Sequence, residues 1–437
     1  MSRAVTLVKV TVRMTGRWAV GTIPLPGSEI DLPVMVDPRS PTAIGHRPFV
    51  PGGSLAGSLR AHLGDDAVGV LGPEPPEWEQ SSPAGRMASP LAVRGTIVLD
   101  GLEIVDRQST SVNRHSGAAD NHTLRAEQWV APGRFVIAMD LDSAAPATMA
   151  RQLATWRPTL GRGRSTGLGQ GVVEKVETLE LNLDDASHLT WWLTRRYDWY
   201  AADTETPTEV SVVESSETDR ARSTEAHQMS VSLRVSEPVR VGTGGNEVQK
   251  DGRRALEVLR QRSRVLIPGS TWKGLFRNRV ATILTLVAAP TESAAVDQIV
   301  TALFGSTKNG RGMLGFSDSL AAVGAKEITR THVAIDRFTG GVIDGGLYRV
   351  KALDVGEALT LTVSGATVSA EVANLVRHVL RDLHDGLISV GGMGTRGYGR
   401  VQVTTSGHLG ELRPVSISRL LEAITKGSNE GGHHADA

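Results

Sequence analysis

The chain has 437 residues, of which 40% are hydrophobic and 22% are charged, and its formal net charge at neutral pH is zero. This length suits two or three domains, and no apolar run reaches the roughly 18 residues of a membrane-spanning helix. The absence of cysteine excludes disulfides and thiolate metal sites and favours the reducing cytoplasm. We therefore expect a cytoplasmic protein with no membrane partner. The zero net charge argues against a protein that coats nucleic acid with its whole surface.

Three sequence blocks recur in the same order in the two halves of the chain. The first, P-G-[GS]-[ST]-x-x-G, occurs in HRPFVPGGSLAGSLRAHL and SRVLIPGSTWKGLFRNRV; the second includes SVNRHSG and AIDRFTG; the third is glycine-rich, RSTGLGQG and GTRGYGR. The blocks begin at His46 and Ser263, at Ser111 and Ala334, and at Arg164 and Gly394. Common loop composition would explain any one pair, but three pairs in the same order indicate a tandem duplication.

In chain order, each half begins with a predicted strand, because apolar and polar residues alternate over 7–14 and 229–235. A helix is predicted after each P-G pair, starting at Ser54 or Thr271 as its capping residue. Second helices, which precede each glycine-rich loop and its closing strand, are predicted over 147–157 and 370–383. This order predicts an α+β fold of two tandem modified ferredoxin-like (RRM-like) domains with large insertions.

The domain boundary is predicted between the two halves, where the aromatic stretch TWWLTRRYDWY is followed by a polar stretch typical of a linker. The predicted units are a first domain over 1–183, an interdomain segment and linker over 184–228, a second domain over 229–426, and a disordered tail over 427–437.

The two helix starts are candidate phosphate-binding sites. A helix that follows P-G-x-[ST] presents free backbone N–H groups, the positive end of its dipole and a hydroxyl group. Ser54 and Thr271 supply the hydroxyl groups, and Arg60, Lys273 and Arg277 add positive charge one or two turns later. An ordinary capped helix with a solvated basic face would explain one copy equally well. Its recurrence favours RNA.

The closing loops, RGRSTGLGQG and GGMGTRGYGR, look superficially like dinucleotide-binding fingerprints. They follow a predicted helix and precede a strand, which is the reverse of the order in a Rossmann site. Small residues instead allow a polynucleotide backbone to approach closely, with arginines meeting its phosphates; a tight turn between helix and strand is the alternative. The predicted RNA contacts are Arg162, Arg164, Gly167 and Gly169 in the first half and Arg396, Gly397, Gly399 and Arg400 in the second.

Taken together, the P-G block, the I-D-R-x-T-G block and the glycine-rich loops resemble the RAMP superfamily of CRISPR proteins, specifically the repeating backbone subunit of type III effector complexes. The resemblance implies a modified RRM fold that holds the guide RNA (crRNA) and inserts a thumb-like hairpin into its duplex with a complementary target RNA. It also implies other CRISPR effector subunits as partners. Arg114 and Arg337 then become candidates for contacts with the duplex.

The resemblance further implies endoribonuclease cleavage of the target RNA, by an aspartate in the loop before the P-G helix and a divalent metal such as Mg²⁺. In EIDLPVMVDPRSP, Asp31 falls on the catalytic and metal-binding aspartate of the family, and Asp37 on a second aspartate. The second half has no D-x-P-V sequence, so it either cuts with Asp251 or only binds. The alternatives are a non-catalytic crRNA-binding scaffold and a crRNA-processing nuclease, which lacks support because the expected histidine is missing.

Overall fold

A computed structural model describes residues 3–37, 47–73, 89–100, 102–111, 121–143, 148–202, 204–215, 228–243, 247–248, 254–306 and 310–430. Its helices are α1 (Gly52–Leu63), α2 (Ala67–Leu71), α3 (Met149–Thr155), α4 (Ala186–Ala201), α5 (Gly269–Val287), α6 (Ser293–Phe304), α7 (Ala370–His384) and α8 (Ile417–Glu430).

The strands of the first half are β1 (Ala4–Met14), β2 (Leu91–Asp100), β3 (Ile104–Ser109), β4 (Arg125–Val130), β5 (Arg134–Leu141), β6 (Gly171–Asn182) and β7 (Ser211–Glu214). Those of the second half are β8 (Gln228–Val235), β9 (Glu247–Val248), β10 (Arg254–Leu256), β11 (Arg260–Gln261), β12 (Arg264–Ile267), β13 (Gly305–Ser306), β14 (Gly310–Arg311), β15 (Gly315–Phe316), β16 (Ser319–Leu320), β17 (Glu327–Ile335), β18 (Val342–Leu353), β19 (Ala358–Ser364) and β20 (Val401–Val403).

The two halves share one antiparallel sheet topology. The first sheet has the order β2-β5-β1-β6-β7, and the second has the order β15-β19-β8-β20. In both, the opening strand lies at the centre, between the strand that follows the insertion and the closing strand. With α1 and α3 between the strands of the first half, this is the order of a ferredoxin-like fold. The predicted fold class is confirmed.

Each sheet is covered by an apolar core that the helices complete. Leu55 and Leu59 of α1 are fully buried against the first sheet. In the second half Trp272 and Phe276 of α5 are fully buried, and the indole nitrogen of Trp272 donates to the Ser319 hydroxyl at 2.9 Å. The spacing of four residues within each pair places both side chains on the inner face of its helix.

Isolated backbone bridges show that the sequence repeats are structural repeats. Trp18 bridges Val130 and Ala19 bridges Gly161 in the first half, just as Val239 bridges Leu353 and Arg240 bridges Gly391 in the second. Within the glycine-rich loops, the Leu160 N–H donates to the Gly169 carbonyl and the Val390 N–H to the Gly399 carbonyl, both at 2.8 Å. These matched contacts give a residue-by-residue correspondence between the halves.

The two predicted helix starts are wrong. Helices α1 and α5 begin at Gly52 and Gly269, two residues before the predicted caps, and Pro51 and Pro268 take the cap position without a side-chain hydrogen bond. The hydroxyl residues therefore lie inside the first turn. The last helix, α8, ends at Glu430.

Part of the segment predicted as interdomain packs on the first half. Helix α4 buries Trp199 and Tyr200 against the first sheet, where the Tyr200 hydroxyl lies 2.6 Å from the Met139 carbonyl. Strand β7 adds to the edge of the same sheet beside β6. The aromatic residues of this segment thus belong to a second small core of the first half.

A matched pair of glycine substitutions tests the loop geometry. Gly161 has φ +73°, and a Cβ there would overlap the Ala19 carbonyl. We expect Gly161→Ala to lower the free energy of unfolding by at least about 1–3 kcal/mol because of the left-handed backbone alone. Gly57 lies in α1 with open space around it, so Gly57→Ala should stabilise by about 0.5–1 kcal/mol. Denaturant unfolding of both variants measures the difference, and equal stability would contradict this account of the loop.

Candidate nucleic-acid interface

The glycine-rich loop of the first half packs directly on the start of α5 in the second half, and we call this contact the seam. A Cβ on Gly167 would overlap the backbone of Phe316 and Ser317. A Cβ on Gly269 would overlap the carbonyl oxygens of Phe316 and Thr166. Two backbones meet here at a distance that only glycine permits.

Asp318 joins the two halves at the seam. Its Oδ1 accepts the Gly269 N–H at 2.9 Å, and its Oδ2 accepts from the Arg17 guanidinium at 2.8 and 2.9 Å. The side chains of Arg17 and Asp318 are only 8% and 11% exposed. The first turn of α5, predicted to bind phosphate through its free N–H groups, is therefore partly filled by a carboxylate of the protein itself.

Positive side chains from both halves converge beside this junction. Lys273 donates to the Ser165 hydroxyl across the seam at 2.8 Å. Desolvation, and then repulsion by Arg277 and Arg311, lower the pKa of Lys273. Desolvation and the nearby Arg164 lower the pKa of Arg311. The fold thus holds like charges together, an arrangement that a bound anion stabilises.

A second group of cations surrounds Trp129 at the base of the β3–β4 hairpin. The guanidinium carbons of Arg17 and Arg162 lie 5.7 and 4.8 Å from the centre of this ring. Burial, followed by repulsion from Arg17, lowers the pKa of Arg107 to about 10. The Nε atoms of Arg107 and Arg162 and the indole nitrogens of Trp18 and Trp129 are buried with no acceptor among the described residues. Donors of this kind are usually satisfied by water or a ligand.

Arg162 contributes to holding the D-L-P-V loop in place. Its Nη2 donates to the carbonyl oxygens of Leu32 and Gln128, so it ties the loop to β4. Desolvation lowers its pKa. Its predicted contact with RNA phosphate is untested, but its observed bonds position the loop that carries Asp31.

Asp31 lies exposed beside β4, with its backbone and side chain both anchored. The Asp31 N–H donates to the Ala126 carbonyl at 2.9 Å, and the Ala126 N–H donates to Asp31 Oδ2 at 2.8 Å. One carboxylate oxygen is thereby oriented by the protein. Asp37 lies half-exposed farther along the loop, and its N–H donates to the Arg47 carbonyl at 2.8 Å.

Strand pairing identifies the counterpart of Asp31 in the second half as Ala255. Leu32 pairs in parallel with Glu127, and Leu256 pairs in parallel with Val350. Glu127 and Val350 are equivalent, because each lies three residues before a matched bridge residue, Val130 or Leu353. The residues that precede Leu32 and Leu256 are Asp31 and Ala255, and Ala255 is fully buried. Asp251, the predicted catalytic candidate of the second half, lies outside the described residues.

The remaining predicted contacts have varied surroundings. The N–H groups of Ser54 and Thr271 donate to Pro51 and Pro268, and Arg60 donates to the Leu71 carbonyl at 3.2 Å. Arg277 donates to the Gly305 carbonyl at 3.1 Å, and Arg164 to the Gly161 carbonyl at 3.1 Å. Arg400 lies 3.6 Å from Glu237. Arg114 lies outside the described residues.

The hairpin of β17 and β18 corresponds to the predicted thumb-like insertion. Its turn is closed by Asp336, which accepts the N–H groups of Phe338 and Thr339 at 2.9 and 2.8 Å. Phe338 is 97% exposed at the tip, next to the predicted contact Arg337. No predicted contact included this phenylalanine, although an aromatic residue in an exposed turn is a recognisable signal.

At Asp31, the described part of the chain supplies too few ligands for a magnesium ion. Among the described residues, no group of three or more His, Cys, Asp or Glu side chains could hold a metal ion. A single anchored carboxylate such as Asp31 fits a hydrated Mg²⁺ only when phosphate oxygens provide further ligands. The predicted role of Asp31 as a metal ligand stays a prediction.

One comparison with known proteins gives a match, and that match lies in the second half. Residues 232–402 match the family model of the RAMP superfamily. This part of the chain, which is less than half of it, is similar to that superfamily, and the similarity favours a CRISPR-associated RNA-binding subunit. For the first half, the assignment stays a prediction that the shared topology supports. A comparison with curated proteins gives no match. Within the described ranges, no helix is both long and apolar enough to cross a membrane.

Removal of the seam carboxylate tests how the halves are joined. Asp318→Ala leaves the Arg17 guanidinium buried and the Gly269 N–H without its acceptor, so we expect a loss of about 3–5 kcal/mol in unfolding free energy. Glu174→Ala is the matched control, because its partners Arg13 and Arg134 are 43% and 50% exposed, and should cost about 0–1 kcal/mol. Denaturant unfolding measures both variants. A loss at Asp318 no larger than that at Glu174 would contradict the role of the junction.

Proposed function

We propose that the protein is a crRNA-binding backbone subunit of a type III CRISPR effector complex, in which one chain supplies two consecutive RNA-binding units. The observation that supports this most is a cluster of four cationic side chains at the seam: Arg164, Lys273, Arg277 and Arg311. These positive charges repel one another, and an RNA phosphate bound among them would relieve that repulsion. The RNA backbone would cross from one half to the other along these side chains.

We also propose that complementary target RNA is cleaved at the first half, next to Asp31. The 2′-oxygen of a splayed nucleotide would attack the phosphorus of the adjacent 3′-phosphate, while the bond from that phosphorus to the 5′-oxygen of the next nucleotide breaks. The products are a 2′,3′-cyclic phosphate and a 5′-hydroxyl end, and the proton lost by the 2′-hydroxyl is balanced by the proton that the 5′-oxygen gains. Such in-line attack depends mainly on geometry and charge neutralisation.

In this proposal, the bond from Ala126 holds the Asp31 carboxylate facing the cleaved phosphate, and Arg162 fixes the loop on β4. A divalent cation such as Mg²⁺, held by Asp31 and by RNA phosphate, would supply neutralisation of the phosphate charge. Since Ala255 replaces the aspartate in the second half, we propose that the second half binds RNA without this chemistry.

Other effector subunits are proposed partners on the second glycine-rich loop. Gly397 corresponds to Gly167, which packs in the seam, yet it is exposed and a Cβ there would meet nothing. The first half uses its glycine-rich loop to contact the second half. The equivalent loop of the second half is exposed at Gly397.

The seam cations provide a direct test of RNA binding. Lys273→Ala and Arg311→Ala should each weaken binding of crRNA at every sequence and reduce the slope of log affinity against log salt by about 1. Arg195→Ala, an exposed arginine on α4, is the control and should leave the slope unchanged. Fluorescence anisotropy over a salt series measures the three variants. Unchanged slopes for both seam variants would exclude the seam as the path of the RNA.

The proposed cleavage is tested in the reconstituted complex with labelled target RNA and Mg²⁺. Asp31→Ala should abolish one specific cut while complex assembly and crRNA content remain normal, because the carboxylate makes only local bonds to β4. Asp142→Ala, an exposed carboxylate at the far end of β5, should cut normally. If Asp31→Ala leaves every cut unchanged, Asp31 is not the catalytic residue, and the proposal of cleavage at this carboxylate fails. Cleavage that persists without divalent metal would exclude the Mg²⁺ requirement.

A further inference from the structure

A cluster of aromatic and basic side chains lies on the middle of the β17–β18 hairpin, and we call it the platform: His332, Tyr348, Tyr398, Arg330 and Arg396. The rings of His332 and Tyr348 lie nearly parallel, 18° apart, with centroids 5.5 Å apart. The ring of His332 lies 5.7 Å from that of Tyr398, whose hydroxyl is 2.8 Å from His332 Nε2.

The two arginines lie at the edges of these rings. Arg396 donates to the Tyr348 hydroxyl at 2.6 Å, and the guanidinium carbon of Arg330 lies 5.3 Å from the centre of the Tyr398 ring. Desolvation, followed by repulsion from Arg396 and Arg330, lowers the pKa of His332. The platform therefore combines π faces with positive charge, and its histidine favours the neutral form.

The platform is absent from the first half, although the fold is the same. Register places Ser109 opposite Arg125 where the second half has His332 opposite Tyr348. The loop correspondence places Leu168 where the second half has Tyr398. The aromatic residues are thus not required by the ferredoxin-like fold, since its other copy is built without them.

The loop that carries Arg396 and Tyr398 is held in a costly conformation. Met393 has φ +68°, a left-handed backbone that costs a non-glycine residue of order 1–3 kcal/mol. The first half has Gly163 at the corresponding position, with φ +76°. Met393 packs instead against the small cluster around Tyr348 and Tyr398, so the strain is retained where its side chain supports the platform.

The platform is also accessible. His332 and Tyr348 are half-exposed, Arg396 is exposed, and Tyr398 is buried beneath them. Flat rings that are partly exposed and flanked by guanidinium groups suit a nucleobase and its phosphate: the base stacks on a ring and the phosphate meets the cation. An acidic peptide would pair with the arginines but gain little from the rings.

We propose that the platform binds one unpaired nucleotide of single-stranded RNA, with the base against His332 and Tyr348 and the phosphate at Arg396. This inference rests on the proposed RNA-binding function and adds a contact confined to the second half. The two halves then differ in their contacts with RNA: a cation-lined seam lies between them, and a stacking site lies beyond it.

The test uses the full chain and a fluorescein-labelled single-stranded oligoribonucleotide. Tyr348→Leu should weaken binding by roughly 5- to 100-fold, as expected for the loss of one stacked base, whereas Tyr348→Phe should retain most of the affinity. Tyr197→Leu, a tyrosine 53% exposed on α4, is the matched control and should bind like the unsubstituted protein.

Photocrosslinking provides a readout that does not depend on the stability of a variant. RNA that contains 5-iodouridine should crosslink to the unsubstituted chain at His332 or Tyr348, as located by mass spectrometry. No crosslink at these residues, with full affinity in Tyr348→Leu, would overturn the platform while the seam variants still weaken binding. If the unsubstituted chain binds no RNA, the proposed function itself fails.

Discussion

The arrangement of the two halves depends on one buried carboxylate. Asp318 accepts a backbone N–H from the start of α5 and the guanidinium of Arg17 from the other half. Because the side chains of Arg17 and Asp318 are nearly inaccessible to water, hydration cannot readily replace the ion pair between them. It fixes the first glycine-rich loop on α5, and it thereby places Arg164 beside Arg311. The electrostatic surface attributed to RNA binding is a consequence of this contact, since neither half supplies all of its cations.

The start of α5 consequently offers fewer free N–H groups than its motif suggests. P-G-x-[ST] describes a helix with free N–H groups, but in α5 the first of these is already bonded to a carboxylate. The positive charge that remains available comes from the side chains of Lys273 and Arg277, one and two turns into the helix. In α1 the residue that corresponds to Lys273 is Ala56, so the two copies of one motif present different charges.

Much of the fold could be predicted from the sequence because it depends on local periodicity. Alternating apolar residues predicted the opening strands to within a few residues, and the helix before each glycine-rich loop was found in both halves, although it is shorter in the first. The helix starts were placed two residues late because the hydroxyl residues suggested capping, whereas a proline in an extended conformation precedes each first turn. The seam could not be predicted, since a contact between distant backbones has no local pattern.

The candidate site was predictable only where its motif is intact. D-L-P-V identified a residue that the structure anchors on β4, but the second half offered no motif, and counting back from its P-G pair pointed to Asp251. The chain between the aligned strand and the P-G pair is shorter in the second half, which makes such counting unreliable. Backbone pairing with β18 determines the correspondence independently of loop length and selects Ala255.

The two halves therefore share the parts of the fold that depend on backbone geometry and differ in the polar residues placed on it. The glycine-rich loops keep glycine at 161, 391, 169 and 399, because φ is positive at each position and a side chain there would strike a neighbouring carbonyl. The side chains around these loops carry no such constraint. Asp31 is replaced by a buried alanine, and Ser109 by a histidine within an aromatic cluster. A rigid loop of small residues permits this divergence, since each half can change its chemistry without altering the strand order that positions it.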